Sequence, residues 1–169
     1  MSVNTIELNP RFLYKYQPTK FSQFEDAADI IQILKTLIEI NSLNVLLIGA
    51  AGMGKTTFLN VIIQEYYGFA QVDSTNIMFI NPLKEQGIGF YRNEVKTFCQ
   101  TCSTIKGKKK LVVIDDIDLI NEQSQHVFRS YIDKFGKNVQ FICSCSNSQN
   151  VIEPMQSRLM ILKIGRAHV

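Results

Sequence analysis

An eight-residue loop at 49–56, with the sequence GAAGMGKT, dictates the order of strand and helix around it. The loop fits the pattern G-x-x-x-x-G-K-[ST] without a mismatch, and its glycines let successive backbone N–H groups point at phosphate oxygens. Such a loop needs a buried strand before it and a helix after it. The chain has an apolar run at 44–48 and a helical pattern at 56–63. These features predict a site for a nucleoside triphosphate and Mg²⁺.

The roles within this site follow from the chemistry of the side chains. Lys55 reaches the β- and γ-phosphates, and Thr56 supplies a hydroxyl ligand for Mg²⁺. The residues predicted to contact the nucleotide are the whole loop and the residue after it: Gly49, Ala50, Ala51, Gly52, Met53, Gly54, Lys55, Thr56 and Thr57.

The rest of the chain alternates between apolar runs of strand length and helical spacing. Strands are predicted at 44–48, 76–81, 111–114, 139–145 and 160–164, and helices at 26–40, 56–63, 87–101 and 121–134. Continuous apolar strands that alternate with helices are typical of a parallel sheet, with ligands beyond the carboxyl ends of its strands. With 169 residues, 46% of them hydrophobic, we expect one α/β domain: a doubly wound parallel five-stranded sheet with helices on both faces.

Acidic residues follow the third predicted strand, in the sequence IDDID at 114–118. Asp115 is placed to hold Mg²⁺ through water, and Asp116 to orient and deprotonate an attacking water. A strand between the phosphate-loop strand and the acidic strand would leave room for such a separate base, which favours hydrolysis over simple switching. For Asp118, capping of a helix N-terminus is the alternative role.

Polar residues also end the fourth predicted strand, at Ser146 and Asn147. Either side chain would face the γ-phosphate from the adjacent strand, unless both only form a turn. Arg158 precedes the last strand. Its chemistry alone fits a surface arginine, but a guanidinium at the edge of a domain can also stabilise the transition-state charge on a neighbour's γ-phosphate.

Composition and charge limit other classes of function. A net charge of +3 permits contact with nucleic acid without arguing for it, and the lysine-rich loop at 106–110 is expected to be solvated. Cys99, Cys102, Cys143 and Cys145 are spaced as in some zinc sites, but no histidine completes a set, so ordinary reduced thiols are favoured. Without a signal-like N-terminus or an apolar run of about 18 residues, we expect an intracellular protein.

The stretch at 141–158, FICSCSNSQNVIEPMQSR, resembles the F-I-L-S-C-N…I-I-E-P-[IL]-Q-S-R-C signature of replication factor C small subunits, which are AAA+ clamp loaders. Weaker similarities occur in the same order along the chain. KYQP at 15–18 is similar to K-Y-R-P, GIGFYR at 87–92 to G-I-D-V-V-R, and QHVFR at 125–129 to A-Q-x-A-L-R. The resemblance covers nearly the whole chain and implies the P-loop AAA+ form of the α/β fold.

The resemblance implies further roles for individual residues. Arg158 would be the arginine finger that completes the ATP site of an adjacent subunit, and Tyr16 would pack near the adenine. DNA-facing positions without sequence readout are implied for Arg92, Lys96, Gln125 and Arg129. The implied ligands are ATP and Mg²⁺. The implied partners are other clamp loader subunits in a hetero-oligomeric ring, a sliding clamp and primer–template DNA.

Two of the departures from the family pattern bear directly on hydrolysis. Asp116 stands where the family has a glutamate base, and Ser146 aligns with its sensor asparagine. The shorter side chain retracts the carboxylate by about 1 Å, and misplacement on that scale can cost ~10²-fold in rate. We therefore expect ATP binding with slow hydrolysis, stimulated by DNA and the clamp.

The implied organisation is an N-terminal arm at 1–25 near the adenine, an AAA+ core at 26–164 and a tail at 165–169. The tail looks like translated adapter sequence rather than native protein, and the family's lid and collar are expected to be missing. The leading hypothesis is an ATPase subunit that loads a sliding clamp in DNA replication and repair. The alternatives are a scaffold subunit that hydrolyses weakly or not at all but donates Arg158, and a helicase-loader-like AAA+ ATPase. A small-substrate kinase lacks support, because no arginine-bearing lid follows the sheet.

Overall fold

Strands and helices alternate along the chain in the computed structural model, which describes residues 17–68, 74–84 and 86–165. The helices are α1 (Ala28–Glu39), α2 (Lys55–Tyr67), α3 (Ile88–Gln100), α4 (Glu122–Lys134) and α5 (Glu153–Gln156). The strands are β1 (Val45–Ile48), β2 (Ile77–Ile80), β3 (Lys110–Ile114), β4 (Val139–Cys145) and β5 (Met160–Lys163). Short 3₁₀ turns occupy Phe21–Gln23, Ile117–Leu119 and Ser148–Asn150.

All five strands pair in parallel, in the order β2-β3-β4-β1-β5. Strand β4 therefore lies between β1, which leads into the glycine-rich loop, and β3, which ends in the acidic sequence. This confirms the predicted intervening strand and the predicted P-loop α/β fold. The carboxyl ends of β1, β3 and β4 meet at one edge of the sheet, where the predicted nucleotide-binding residues converge.

Both faces of the sheet are covered, because successive side chains of a buried strand point to opposite sides. Val45 and Leu47 of β1 belong to a core cluster with residues of α1 and α2. Leu46, between them, belongs to a second cluster with residues of α3, α4 and α5. The same alternation in β3 explains why these strands read as continuous apolar runs.

The segment before α1 is held against α2 by aromatic side chains. The rings of Phe21 and Phe24 lie 6.2 and 4.8 Å from the ring of Phe58, and the Phe21 backbone N–H donates to Glu65 Oε1 at 3.2 Å. This packing fixes residues 21–24 over the outer face of α2. Tyr16 and the rest of 1–16, like the tail from 166 onward, lie outside the described residues.

The lysine-rich loop differs from the expectation at its last residue. Lys110 belongs to β3 and is 5% exposed, with its ammonium group 3.9 Å from the centre of the Phe98 ring. Its Nζ donates to the Phe98 carbonyl at 2.8 Å, so the charge is satisfied by the end of α3 rather than by solvent. The prediction of a solvated loop is wrong for Lys110, because this residue lies in β3 and its ammonium group is held against Phe98.

Three of the cysteines are buried, and Cys102 is exposed. Burial raises the pKa of the Cys99 thiol to about 12, which disfavours the thiolate that a metal would need. Over the described ranges, no group of three or more His, Cys, Asp or Glu side chains is arranged to hold a metal ion.

None of the helices in the described part of the chain combines the length and the apolar character needed to cross a membrane.

Candidate nucleotide-binding site

The glycine-rich loop connects β1 to α2 and turns sharply at two glycines. Gly52 and Gly54 adopt left-handed backbone conformations, with φ of 81° and 78°, which residues with a side chain rarely adopt. The turn places Lys55 in the first position of α2. A cavity of about 390 Å³ opens in front of the loop, and the residues lining it are Ala51, Gly52, Gly54, Lys55, Thr56, Thr57, Asp116 and Ser146.

Lys55 joins the loop to the end of β4. Its Nζ donates to the carbonyl oxygens of Gly49 at 2.7 Å and Ala50 at 3.2 Å, and to Ser146 Oγ at 2.9 Å. The side chain is 8% exposed, so the ammonium group is held inside the cavity wall. Of the two residues proposed to face the γ-phosphate, Ser146 lies in this cavity.

The two residues predicted to serve magnesium are brought together. Thr56 Oγ1 donates to Asp115 Oδ2 at 2.7 Å across the loop and the end of β3. A hydroxyl and a carboxylate side by side are hard oxygen ligands of the kind that Mg²⁺ prefers, and Mg²⁺ commonly completes its shell with waters and substrate phosphates. The donor set therefore fits this ion when it arrives with a nucleotide.

Ser144 orients the acidic pair, a role that the sequence interpretation missed. Its Oγ donates to Asp115 Oδ1 at 2.5 Å and accepts the Asp116 backbone N–H at 3.0 Å. Both carboxylate oxygens of Asp115 are thus engaged, one by Thr56 and one by Ser144. A signal was present in the sequence, because Ser144 is a hydroxyl in an otherwise apolar strand segment. The structure buries this hydroxyl fully, and a buried hydroxyl requires a partner.

Asp116 has the surroundings expected of a general base. It lines the cavity and adopts a left-handed backbone conformation, with φ of 54° and ψ of 52°. Burial raises the pKa of its carboxyl, the nearby carboxylates of Asp115 and Asp118 raise it further, and Lys55 lowers it. A carboxylate with a raised pKa accepts a proton more readily, so the environment suits proton abstraction from water.

Asp118 ties the acidic turn to the end of β4. Its Oδ2 accepts the backbone N–H groups of Ser146 at 3.2 Å and Asn147 at 3.1 Å. The alternative of a helix cap is wrong for Asp118, because Asn121 caps α4 by accepting the Ser124 N–H at 2.8 Å. Asp118 therefore fixes the backbone that carries Ser146.

Asn147 has a different position from Ser146. Its Oδ1 accepts the Gln149 N–H at 3.0 Å and caps the 3₁₀ turn that follows β4. The side chain does not line the cavity. The prediction of a γ-phosphate contact is corrected for Asn147, because its carbonyl oxygen is used by the local turn.

A second cavity, of about 420 Å³, is lined by Met53 of the glycine-rich loop. Its other lining residues are Gln23, Phe24, Glu25, Asp26, Ala27, Ile164 and Gly165. The cavity is bounded by the segment before α1 and by the end of β5. Because Met53 belongs to the phosphate loop itself, this space is suited to the nucleoside part of a ligand whose phosphates occupy the first cavity.

Arg158 lies at the opposite end of the sheet from the loop. It precedes β5, whose first residue, Met160, pairs with Val45 at the start of β1, whereas the loop follows the end of β1. Its guanidinium bonds to Asp133 on α4 and is absent from both cavities described above. The chain therefore does not bring Arg158 to its own phosphate loop.

The four residues expected to face DNA fall into different environments. Arg92 and Lys96 are exposed one turn apart on α3, and Arg129 is partly buried with an ion pair to Asp133 at 3.5 Å. Gln125 is fully buried, so a direct DNA contact is wrong for it. Its amide donates to the carbonyls of Ile120 and Asn150 at 2.8 and 2.9 Å and accepts the Ile152 N–H at 2.9 Å.

Together these features define a P-loop nucleotide-binding α/β domain. They are a phosphate loop with its lysine and threonine, an acidic strand end beside it and a polar residue on the intervening strand. The family described as AAA domain matches residues 41–162. This match spans the loop, the acidic strand end and Arg158. The chain belongs to the AAA domain family.

Curated relatives agree with the resemblance found in the sequence. The chain is 30% identical over 155 residues to the replication factor C small subunit of Methanoregula boonei, covering 90% of this chain and 47% of that protein. It is also 30% identical over 159 residues to the replication factor C small subunit of Methanothermobacter thermautotrophicus, covering 94% and 49%. The chain thus spans about half the length of the curated relatives it matches.

Solved structures share the fold. The RuvB Holliday junction branch migration motor of Thermotoga maritima superposes with a TM-score of 0.67 at 21% identity, covering 88% of this chain and 48% of that one. A DNA polymerase III gamma subunit-related protein of Thermotoga maritima gives a TM-score of 0.63 at 17% identity, covering 80% and 46%.

Proposed function

We propose that the chain is an ATP-binding and ATP-hydrolysing subunit of a clamp loader, which helps to place a sliding clamp on primer–template DNA. The observation that supports this most directly is that Lys55, which bonds to Ser146, and Thr56, which bonds to Asp115, line the same cavity. The similarity to replication factor C small subunits supports clamp loading over other functions of AAA proteins.

Each residue of the site has a separate role in nucleotide binding. Lys55 exchanges its carbonyl partners for phosphate oxygens, and the loop N–H groups surround the phosphates. When bound, Mg²⁺ neutralises phosphate charge. Thr56 and Asp115 are the residues that would hold it, and Asp116 takes the proton of the attacking water. Met53 and the segment at 23–27 enclose the base.

Hydrolysis is proposed to be slow, because Asp116 is shorter than the glutamate found in the family. Asp116→Glu would extend the carboxylate by about 1 Å toward the water and raise kcat in the assembled complex. A left-handed backbone suits Asp better than Glu, so the melting temperature is measured on the same variant to separate strain from reach. A kcat that is unchanged or lower in a variant that remains folded would contradict the assignment of Asp116 as the base.

A second candidate function is a nucleotide-bound scaffold subunit that hydrolyses little and donates Arg158 to its neighbour. The shorter base at Asp116 favours this candidate. Lys55→Ala and Arg158→Ala, each introduced into the assembled complex, distinguish the two. A hydrolysing subunit loses ATPase activity with either change, whereas a scaffold subunit loses it only with Arg158→Ala.

The proposed partners are other clamp loader subunits, a sliding clamp and DNA. Arg92 and Lys96, exposed on the same face of α3, would contact DNA phosphates without reading sequence. Affinity purification of the full-length subunit tests the partners. We expect a sliding clamp to co-purify when ATP is present, and its absence under those conditions would remove clamp loading in favour of another AAA function.

A further inference from the structure

Asp133, near the end of α4, bridges two arginines that lie outside the nucleotide-binding cavity described above. Its Oδ1 accepts Arg158 Nε at 2.7 Å, and its Oδ2 lies 3.5 Å from Arg129 Nη1. The hydrogen bond from Arg158 is the main reason why the pKa of the Asp133 carboxyl is lowered, so Asp133 stays charged at neutral pH. A cavity of about 440 Å³ borders the two arginines, together with His126, Glu153, Pro154 and Ser157.

The bonds to Arg158 use two of its three nitrogens. Besides Nε, which is taken by Asp133, Nη1 donates to the Pro154 carbonyl at 2.8 Å and lies 3.4 Å from Ser157 Oγ. Nη2 makes no hydrogen bond to any residue that the structure describes. A guanidinium has five N–H donors in a fixed plane, so fixing two nitrogens sets the direction of the third.

We propose that Asp133 is a positioning residue: it holds the Nε edge of Arg158 so that Nη2 faces outward, toward the γ-phosphate bound by an adjacent subunit. This inference rests on the proposed function, in which Arg158 completes a neighbour's site. These contacts leave the Nη2 donors without a partner among the described residues and therefore orient the arginine without occupying all of its donors. A flexible surface arginine would have to be ordered during each turnover, which costs side-chain entropy.

The test measures hydrolysis at the adjacent site of the assembled complex. Each variant subunit also carries Lys55→Ala, which silences its own site, so the change in rate reports the neighbour. We expect Asp133→Ala to lower kcat by about tenfold to a hundredfold with KM within about twofold, because orientation matters most in the transition state. Asp133→Glu, which keeps the carboxylate, restores part of the rate. Glu39→Ala, which removes an equal charge on α1, leaves it unchanged.

The variant Arg158→Ala in the same complex separates the two levels of the proposal. If Arg158→Ala leaves the neighbour's rate unchanged, the proposed function of Arg158 fails. If Arg158→Ala lowers the rate and folded Asp133→Ala and Asp133→Asn do not, only the positioning role of Asp133 fails. An increase in rate with Asp133→Ala would show that Asp133 restrains the arginine and would also overturn the inference.

A double variant distinguishes positioning from general damage to the fold. If Asp133 acts through Arg158, Asp133→Ala combined with Arg158→Ala is no slower than Arg158→Ala alone. Multiplying losses would mean that Asp133 acts independently of Arg158. Should Asp133→Ala unfold the subunit, the comparison of Asp133→Asn with Asp133→Glu gives the same information at nearly constant volume.

Discussion

Asp116 combines a charge and a backbone conformation that both oppose folding. Its carboxyl is flanked by two other aspartates, and its φ is positive. Such costs are typical of functional positions, where the surrounding structure holds a residue in a state that it would not adopt alone. The sequence indicated the role of this residue from its place after a buried strand. The left-handed backbone could not be predicted, because it depends on the hydrogen bond from its N–H to Ser144, 28 residues away.

Removing the charge of Asp116 should stabilise the chain while abolishing hydrolysis. Because the folded chain raises the pKa of Asp116, it keeps that proton to a higher pH than the unfolded chain, so stability falls as pH rises through this window. We expect Asp116→Asn to raise the melting temperature at neutral pH and to lose this advantage below about pH 4, where Asp116 is protonated in both states. Thermal unfolding across pH measures the effect. A gain that is independent of pH would assign it to backbone preference alone.

Ser144 offers a separate test of the magnesium assignment. Its hydroxyl holds Asp115, and loss of a group that orients a metal ligand typically costs 10–100-fold in metal affinity. We expect Ser144→Ala to raise the Mg²⁺ concentration needed for tight binding of a fluorescent ATP analogue by about tenfold or more. Ser146→Ala, which changes the contact to Lys55 instead, is the matched control. An equal Mg²⁺ requirement in the two variants would argue against this role of Ser144.

At the scale of elements, α4 connects the acidic turn to the segment that leads to Arg158. Gln125 reaches the 3₁₀ turn after β3 and the segment before α5 through the same buried amide. The periodicity of α4 was readable from the sequence, and its observed bounds agree within one residue. The inward direction of the Gln125 side chain could not be predicted from the sequence, because a polar residue on a helix is usually exposed. Its burial reflects backbone groups of two turns for which the described residues offer no other partner.

The buried bonds of Gln125 predict that its replacement lowers stability more than replacement of an exposed glutamine would. Gln125→Ala leaves the Ile152 N–H and the Ile120 and Asn150 carbonyls without their buried partner, at about 1–3 kcal/mol for each unsatisfied group. We expect the free energy of unfolding to fall by about 3 kcal/mol or more in denaturant titrations. Gln123→Ala, on the exposed side of the same helix, should change it by less than about 0.5 kcal/mol. Similar values for both variants would contradict the assigned bonds.

The whole molecule separates the nucleotide site from Arg158 by the length of the sheet. The order of apolar runs was enough to predict the parallel sheet and the carboxyl edge that carries the site. The sequence alone did not reveal the hydrogen bonds of Asp118 or the ion pair of Asp133. The bond of Asp118 to Ser146 and that of Asp133 to Arg158 join residues 25 or more positions apart, so they depend on how the strands are ordered and not on local pattern.

The distance between the phosphate loop and Arg158 predicts that replacing Lys55 and replacing Arg158 affect nucleotide affinity differently in the isolated chain. Lys55→Ala should weaken binding of an ATP analogue by at least tenfold, because Lys55 lies in the cavity wall. Arg158→Ala should leave the affinity within about twofold of the original, because its side chain lies at the other end of the sheet. Fluorescence titration of both variants measures this. A large loss for Arg158→Ala in a monomeric sample would mean that Arg158 acts on its own nucleotide.

With the phosphate loop and Arg158 at opposite ends of the sheet, any assembly that uses both completes its sites between chains. An antiparallel pair related by a twofold axis would complete two sites, because the loop end of each chain meets the Arg158 end of the other. Head-to-tail contacts would instead produce either a closed ring or an open helical stack. An open stack contains one fewer complete site than it has chains, with an unmatched loop at one end and an unmatched arginine at the other. The ratio of hydrolysing sites to chains would therefore report whether such an assembly is closed.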